Sequence, residues 1–365
     1  ELLKNVSFAE GLGSLFDRVK RIEWIINGLL KTINCKTINA VSAKRAAQLC
    51  KHDLVSQIVG EFPELEGVMG GKYLIKEGES REVALAVLEH YLPRSTVDSL
   101  PSSSTGSILA LAERFELLLS IFSKGERPSG SSDPFALRRA GNGILQILWN
   151  RNWLIDFNDF FDESIIYWSN LFPLFEINHS RLLNDLRLFF RQRIISLLEE
   201  EEIDIDIIKA VTGDLENVEA LLSNPTEIKL RALLLSEMRK NNTLSSLYLV
   251  VTRASRLAVK SNLPVNILGP IGFVDTTLFE KESEFQLLNV INSLESISTS
   301  KSSDRYLELA KGLNDASRVL SEFFDGEQSV MVMSDNLKIR TNRLNLLAII
   351  RNHALILADF SQIAS

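Results

Sequence analysis

The stretch Asp133-Pro134-Phe135-Ala136-Leu137-Arg138-Arg139 predicts the start of a long helix. It follows a loop rich in Gly, Pro and Ser and leads into an apolar segment. Asp133 is a residue type that caps helices, and Pro134 at the first helical position would lose no hydrogen bond. Arg138 and Arg139 then bring positive charge to the positive end of the helix dipole, which is unfavourable. This placement indicates either an exposed basic turn or a turn that meets an anionic partner.

Helical periodicity dominates the chain on both sides of this stretch. Apolar residues recur three and four positions apart in Arg181–Leu198, Tyr306–Phe324 and Leu344–Ala358. Because this spacing lines one face of a helix, and strand-like alternation is nearly absent, the sequence predicts an all-α protein. The acidic run Glu199–Glu202 lies at the negative end of the first of these helices, so we expect that helix to stop there.

Loops divide the chain into three predicted parts. Small and turn-forming residues are concentrated in four segments, at residues 101–106, 124–132, 264–270 and 296–304. Such residues favour turns over helices, and the character of the sequence also changes near Leu154. We therefore predict a first helical domain at residues 1–153, a connecting helical region at 154–223 and a helical bundle at 224–365.

The composition is that of an ordinary globular protein, with 365 residues, 45% of them hydrophobic and 24% charged. The apolar stretch at residues 346–360 is interrupted by charged residues, so we expect no membrane-spanning helix. The sequence has no initiator Met and no signal segment, and we expect it to be a fragment. We expect Cys35 and Cys50 to be buried, reduced thiols. Two Cys and four scattered His predict no structural zinc site.

Charge is unevenly distributed although the net charge is −7. Residues 227–260 contain seven Lys or Arg and two Glu, a net charge of +5, and residues 338–351 contain four Lys or Arg and no acid. The acidic pole comprises Glu199–Glu202, Asp204 and Asp206. A bipolar chain of this kind either binds a polyanion on one face or simply has solvated helix faces.

The doublet His52-Asp53 is a candidate metal-binding element, since a His-Asp pair on a helix holds metal in HD-type phosphohydrolases. Further residues of suitable type follow, namely His90, Asp98, Glu113 and Glu116. No His precedes His52, so the upstream ligand typical of active HD enzymes is missing. We therefore interpret the doublet as a structural remnant that binds no metal and has no hydrolase activity.

The glycine cluster Gly67, Gly70 and Gly71 is a second motif that we considered for a function. No apolar strand precedes it, as a phosphate-binding loop would require. We expect instead a turn that permits close backbone approach, and nothing else in the sequence indicates an ATP site.

An ordered set of short segments resembles a known family. The segments are Ala9–Val19, Lys51–Val55, Glu61–Gly70, Glu89–Arg94, Leu100-Pro101, Asp133–Arg139, Glu322–Asp325, Val330–Met333, Asn342–Leu344 and Ala358–Ser361. In this order they resemble the C-terminal part of the β subunit of bacterial-type glycyl-tRNA synthetase. The resemblance runs from about Ala9 to Ile363 and is poor at residues 154–250.

The resemblance implies an HD-like helical domain followed by an anticodon-binding bundle similar to that of arginyl-tRNA synthetase. It implies a parent enzyme that joins glycine to tRNA-Gly with ATP and Mg²⁺, in a catalytic α part that this chain lacks. The chain itself would need no cofactor, and the parent would form a dimeric assembly. A plant source would place it in a plastid or mitochondrion, and otherwise a bacterial cytoplasm fits.

The candidate tRNA-binding residues are basic or amide side chains that suit phosphates and unpaired bases. They are Arg253, Arg256 and Lys260 on one predicted helix, Arg340, Asn342 and Arg343 on the last long helix, and Arg138 and Arg139. The family usually has Asn where this chain has Arg256, which weakens the case for a base-specific contact there. An alternative for Arg343 is an ion pair with Asp325 or Asp335 that locks the bundle.

Three functions follow as hypotheses. In the first, the chain positions tRNA and contacts its anticodon without catalysing a reaction. In the second, it is a metal-dependent HD-type phosphohydrolase. In the third, it is a helical docking scaffold for the α part that binds no RNA.

Overall fold

The secondary structure of the protein is helical. The computed structural model describes residues 1–33, 35–213, 218–300, 302 and 304–364. Over these residues there is no β-strand, and the only strand-like features are two isolated bridges, Ser7 with Ser14 and Ser129 with Ser132. The prediction of an all-α protein is confirmed.

Sixteen α-helices follow one another along the described residues. They are α1 (Leu15–Thr32), α2 (Ala40–Leu49), α3 (Gln57–Glu61), α4 (Val68–Lys76), α5 (Arg81–Glu89), α6 (Ser104–Ser123), α7 (Leu137–Arg151), α8 (Phe157–Leu171), α9 (His179–Glu200), α10 (Ile205–Thr212), α11 (Val218–Leu222), α12 (Pro225–Lys240), α13 (Leu244–Ala258), α14 (Glu282–Ser298), α15 (Arg305–Asp325) and α16 (Leu337–Leu357). Helix α9 ends at Glu200, within the acidic run where the dipole argument predicted a stop.

The chain forms two compact units. Unit 1 comprises Glu1–Leu197 and Leu215–Glu227, and unit 2 comprises Leu198–Asp214 and Ile228–Ser365. Compactness alone defines these units. The division into three domains with HD-like and anticodon-binding folds stays a prediction.

Unit 1 is built around α6, whose side chains are buried on nearly every side. This helix lies in the interior of the unit, where it packs against α1, α2, α5, α7 and α8. Phe115 is the centre of an aromatic cluster in which its ring centroid lies 4.6 Å from that of Phe160 and 6.4 Å from that of Phe190. Trp168 donates its indole N–H to the Ser120 hydroxyl at 3.1 Å, so the one polar group of this ring is satisfied.

The main part of unit 2 is a bundle of α13, α14, α15 and α16. The apolar stripe predicted for α15 is buried from Tyr306 to Leu320, but Phe323 rather than Phe324 completes it. Helix α16 is buried on more than one face, because Leu346 and Ile349 are inaccessible as well as Leu347 and Ile350. The sequence pattern therefore located these helices correctly and underestimated how deeply α16 is enclosed.

The start of α7 differs from the prediction. The helix begins at Leu137, and Ala136 before it adopts a left-handed conformation with φ 54°. Pro134 therefore lies in the preceding turn and not at the first helical position. Asp133 does cap the helix, since its two carboxylate oxygens accept the backbone N–H groups of Leu137 at 2.7 Å and Arg138 at 3.0 Å.

Two further expectations can be compared with the structure. Cys50 is buried, whereas Cys35 is only half-buried, so the expectation of two buried thiols was wrong for Cys35. Both are free thiols. Within the described ranges, no helix has the length and apolar character needed to cross a lipid bilayer.

Candidate nucleic-acid interface

The His52-Asp53 doublet lies in one turn of 3-10 helix, His52–Val55. Asp53 is buried, and its Oδ2 atom accepts the backbone N–H groups of Gly67 at 2.7 Å and Gly70 at 3.0 Å. The carboxylate thus caps the start of α4. Gly67, with φ 75° before α4, has the close approach in a turn that was expected, since a Cβ atom on it would lie 2.8 Å from the Tyr91 ring. Gly70 lies inside α4, so its close approach occurs in a helix.

Lys51, the residue before the doublet, occupies the centre of a polar cluster in unit 1. Its side chain is completely buried, and its Nζ atom lies 3.1 Å from His90 Nε2, 2.9 Å from the Tyr91 hydroxyl and 3.2 Å from Glu113 Oε1. Because His90 Nδ1 lies 2.5 Å from the Val87 carbonyl oxygen and donates to it, Nε2 is the atom that accepts from Lys51. Burial and the neighbouring Lys51 charge keep the pKa of His90 well below its usual range.

Both carboxylates that were considered as metal ligands on α6 are held by cations. Arg18 bonds to Glu113 Oε1 and to Glu116 Oε2, each at 2.7 Å, and Arg21 bonds to Glu116 Oε1 at 2.8 Å. Burial alone would raise the pKa of Glu113, but Lys51 and Arg18 outweigh it and lower that pKa. In the described part of the chain, no three His, Cys, Asp or Glu side chains are placed to hold a metal ion. The arrangement is an internal ion-pair network.

Arg138 and Arg139 emerge from the first turn of α7 in different surroundings. Arg138 is half-buried, and its side chain forms no hydrogen bond with the described residues. Arg139 is exposed, and its Nη1 atom donates to the Arg94 carbonyl oxygen at 3.4 Å. Arg139 is therefore the more accessible of the two predicted contacts.

Arg343 is an internal residue of the unit 2 bundle. Only 3% of it is exposed, and its guanidinium bonds to Glu284 Oε1 at 2.9 Å and to Glu280 Oε2 at 2.7 Å. Arg343 thus forms ion pairs inside the bundle, as the alternative proposed, but its partners are Glu284 and Glu280 and not Asp325 or Asp335. Buried and doubly paired, Arg343 presents no free donor to RNA.

Arg253 forms an ion pair with Asp325, the residue that was predicted to pair with Arg343. Its guanidinium pairs with Asp325 and lies over the Phe324 ring, 4.5 Å from the ring centroid. Arg256 lies further along α13, and Lys260 follows the end of that helix and does not lie on it as predicted. Both residues are exposed. Their charged ends form no ion pair with the described residues, so they remain accessible to an anion. Arg340 on α16 is half-buried and likewise unpaired among those residues.

Asn342 holds a loop instead of pointing outward. Its Oδ1 atom accepts the Asp275 N–H at 2.7 Å, and its Nδ2 atom donates to the Asp275 carbonyl oxygen at 2.9 Å. Asn345, one turn later, donates to the Phe273 carbonyl oxygen at 2.8 Å. These bonds fix the loop at residues 272–278 against α16, and 40% of the Phe273 side chain stays exposed.

This loop and the first turns of α16 form the walls of an open groove of about 670 Å³. Its lining combines aromatic, amide, hydroxyl and cationic groups, in particular Phe273, Asp275, Lys338, Thr341, Asn342 and Asn345. Ser261 donates to Asn345 Oδ1 at 2.9 Å, which brings the segment after α13, and with it Lys260, beside the groove. We call this feature the α16 groove.

Sequence reasoning found Asn342 and Lys260 but missed Phe273 and the loop that carries it. The only local signal was the pair of turn formers, Pro270 and Gly272, directly before Phe273. The hydrogen bond between this loop and α16 joins residues 67 positions apart. Local sequence patterns do not predict a contact of that kind.

Comparison with known proteins places the chain in a family. The family model described as glycyl-tRNA synthetase beta subunit matches residues 1–213, more than half of the sequence. The chain belongs to the glycyl-tRNA synthetase β-subunit family. This match lies mainly in unit 1, while the α16 groove lies outside the matched residues.

Curated relatives in this β-subunit family cover almost the whole chain. The glycine–tRNA ligase β subunit of Acaryochloris marina is 42% identical over 364 residues, which are 99% of this chain and 51% of that protein. The β subunits of Trichodesmium erythraeum and Pediococcus pentosaceus are 40% and 34% identical, each over 99% of this chain and 50% of its own length. The chain thus spans about half the length of the relatives it matches.

Proposed function

We propose that this chain is a non-catalytic, tRNA-binding portion of a glycine–tRNA ligase. The parent enzyme would attach glycine to tRNA-Gly with ATP and Mg²⁺ at a catalytic centre in its α part. In this account unit 2 grips the tRNA and contacts its anticodon, and the α part is its protein partner. The relatives named above are bacterial proteins, which favours a bacterial-type enzyme. A plastid or mitochondrial location stays a prediction for a plant source.

The α16 groove is the observation that carries this proposal. Phe273 offers an exposed ring on which an unstacked base can stack, and such stacking is tolerant of sequence. Thr341 brings an exposed hydroxyl group to the same groove, and hydroxyl groups bond to base edges in single-stranded RNA. Lys338 adds an exposed cation at the groove, and Lys260 adds another beside it. Aromatic, hydroxyl and cationic groups together suit an anticodon loop better than a protein surface.

The ion-pair network of unit 1 supports a non-catalytic role. The Lys51 ammonium lies between His90, Tyr91 and Glu113, and it would repel a divalent cation that approached the same three groups. The metal-dependent phosphohydrolase hypothesis is therefore the weaker one. The Arg18 and Arg21 guanidiniums further occupy the carboxylates that such a reaction would use.

Binding of the chain to tRNA-Gly at several salt concentrations tests the proposal. The groove variant would carry Phe273→Leu and Lys338→Gln. The matched control would carry Phe285→Leu and Lys311→Gln, because Phe285 is 42% exposed against 40% for Phe273 and both lie in unit 2. Loss of one stacked base costs roughly 5- to 150-fold in affinity. Loss of one phosphate contact lowers the salt slope by about 0.7–0.9.

The control should bind like the unmodified chain. Equal affinities and slopes for the groove variant and the control would contradict the assignment of RNA contact to the α16 groove. Absence of RNA binding by all three proteins would instead favour the docking-scaffold hypothesis.

A further inference from the structure

A second cavity, in unit 1, has a chemistry that the proposed tRNA contact does not use. It measures about 260 Å³ and lies between the loop before α4, the segment after α5, helix α6 and the start of α7. The residues that matter for its chemistry are Glu66, Tyr91, Arg94, Arg114, Phe135 and Arg139. We call it the arginine cavity.

Among the residues that the structure describes, the three guanidiniums of the arginine cavity bond to backbone carbonyl groups and to no carboxylate. Arg114 is buried and donates to the carbonyl oxygens of His90, Tyr91 and Pro93 at 3.0–3.1 Å. Arg94 donates to two carbonyl oxygens of the loop before α4, each at 3.1 Å, and Arg139 donates to Arg94. Carbonyl oxygens fix the positions of the guanidiniums without cancelling their charge, so the cavity wall stays positive.

The two carboxylates at the cavity do not neutralise this charge. Glu113 is already shared by Arg18 and Lys51. Glu66 is half-buried, and its carboxylate accepts no hydrogen bond from the described residues. Three arginines therefore face one acceptor that is free to bond to a ligand. A ligand that fits must be anionic at one end and must donate hydrogen bonds at the other.

We propose that the arginine cavity binds a single nucleotide whose base carries an exocyclic amino group. Its phosphate would lie on Arg94 and Arg139, which form the exposed rim, because guanidiniums bind phosphate oxygens as paired donors. The base would lie against Tyr91 and Phe135 and donate its amino hydrogens to Glu66, as carboxylates accept from base amino groups elsewhere. Adenine, guanine and cytosine meet this requirement, and uracil does not.

The size of the arginine cavity agrees with this ligand. Cavities for drug-sized ligands begin at about 300 Å³, so about 260 Å³ suits one nucleotide and not a dinucleotide. The nucleotide can be free in solution or can be one residue of an RNA chain turned into the cavity. Both sources present the same phosphate and base, and the inference does not depend on the α16 groove.

Calorimetric titration of the whole chain with GMP, AMP, CMP and UMP tests the inference. Arg139→Gln removes a rim guanidinium, and Arg138→Gln is the matched control, since the neighbouring Arg138 does not line the cavity. The first change should weaken GMP binding roughly 10- to 100-fold, the value of one charge-assisted hydrogen bond or two. The control should leave it unchanged. Glu66→Leu, which removes the acceptor, should remove the preference for GMP over UMP.

Competition with tRNA identifies the source. Displacement of bound GMP by saturating tRNA would show that a residue of the RNA enters the cavity, and undisturbed GMP binding would show a site for free nucleotides. No saturable binding of any of the four nucleotides would overturn the inference, as would equal weakening by Arg139→Gln and Arg138→Gln. The Phe273→Leu, Lys338→Gln variant should bind GMP normally, so failure of the α16 groove and failure of this cavity are distinguishable.

Discussion

Lys51 donates to Glu113 in the interior of unit 1, with Nζ 3.2 Å from Oε1 and the lysine wholly buried. Burial opposes the charge on Lys51, yet Glu113 raises the pKa of that ammonium. The Lys51 ammonium is thus the cation that the His90, Tyr91 and Glu113 side chains surround. The residues around the His52-Asp53 doublet therefore form a buried ion-pair network that stabilises unit 1.

Substitution of Lys51 by Met should lower the free energy of unfolding by about 3–5 kcal/mol, because Glu113 then loses a buried partner. Lys44→Met, on the exposed side of α2, is the control and should change stability by less than about 0.5 kcal/mol. Urea denaturation of the three proteins measures both. A small effect of Lys51→Met would mean that Arg18 alone satisfies Glu113.

Arg343 and Arg340 should separate stability from RNA binding. Arg343→Met leaves the buried Glu284 without its partner and should cost about 3–5 kcal/mol. Arg340→Gln should cost less than about 0.5 kcal/mol and should lower the salt slope of tRNA binding by about 0.7–0.9. Denaturation and salt-dependent binding together check this, and similar stability of the two variants would disprove the internal role of Arg343.

Two glycines of unit 1 should respond oppositely to alanine. A Cβ atom on Gly70 would lie 2.9 Å from Val87 Cγ1 and 3.0 Å from Asp53 Oδ2, so Gly70→Ala must displace the capping carboxylate. We expect a loss of about 1–3 kcal/mol. A Cβ atom on Gly60, in α3, meets nothing within 4 Å, and Gly60→Ala should stabilise by roughly 0.5–1 kcal/mol. Thermal unfolding compares them, and losses of equal size would contradict the close approach of Gly70 to Asp53.

His353 should make unit 2 sensitive to acid. Burial lowers its pKa to about 4 from an ordinary value of 6.5, while Nε2 donates to the Leu268 carbonyl oxygen and Nδ1 accepts from Ser298. As the pH falls, the unfolded chain takes up the proton first. The folded state is therefore most favoured above about pH 6.5 and loses about 3 kcal/mol by about pH 4.

Urea denaturation across this pH range, for the unmodified chain and for His353→Gln, measures the effect. The variant should show a flatter dependence in the same window. Some dependence should remain, because burial lowers the pKa of His90 in unit 1 as well. Parallel curves for the two proteins would rule out His353 as a source of acid sensitivity.

Local patterns in the sequence were sufficient for the helices but not for their partners. Apolar spacing located α9, α15 and α16, because a helix that packs on one face has a period that the sequence repeats. The start of α7 was misplaced by three residues, since nothing local showed that Ala136 would adopt a left-handed conformation. The loop assigned to residues 101–106 is partly helix, because Ser103 caps α6, which begins at Ser104.

The candidate site depended on contacts between distant parts of the chain. Arg343 bonds to Glu284, which lies 59 residues away in the sequence. No local pattern in α14 or α16 predicts that these two helices pack together. Lys51 was overlooked because lysines are rarely buried, and only the three-dimensional cluster shows why this one is. Arg256, Lys260 and Arg340 remain candidates because they are unpaired among the described residues, whereas Asn342 and Arg343 have structural roles.

Binding of this chain to a glycine tRNA transcript, beside a copy with an altered anticodon at the same moderate salt, tests the central claim most directly. Filter or fluorescence binding is sufficient. The account predicts a clear preference for the intact anticodon, since the α16 groove would contact its bases. Equal binding to both transcripts would contradict anticodon contact, and would mean that the chain holds the tRNA backbone alone.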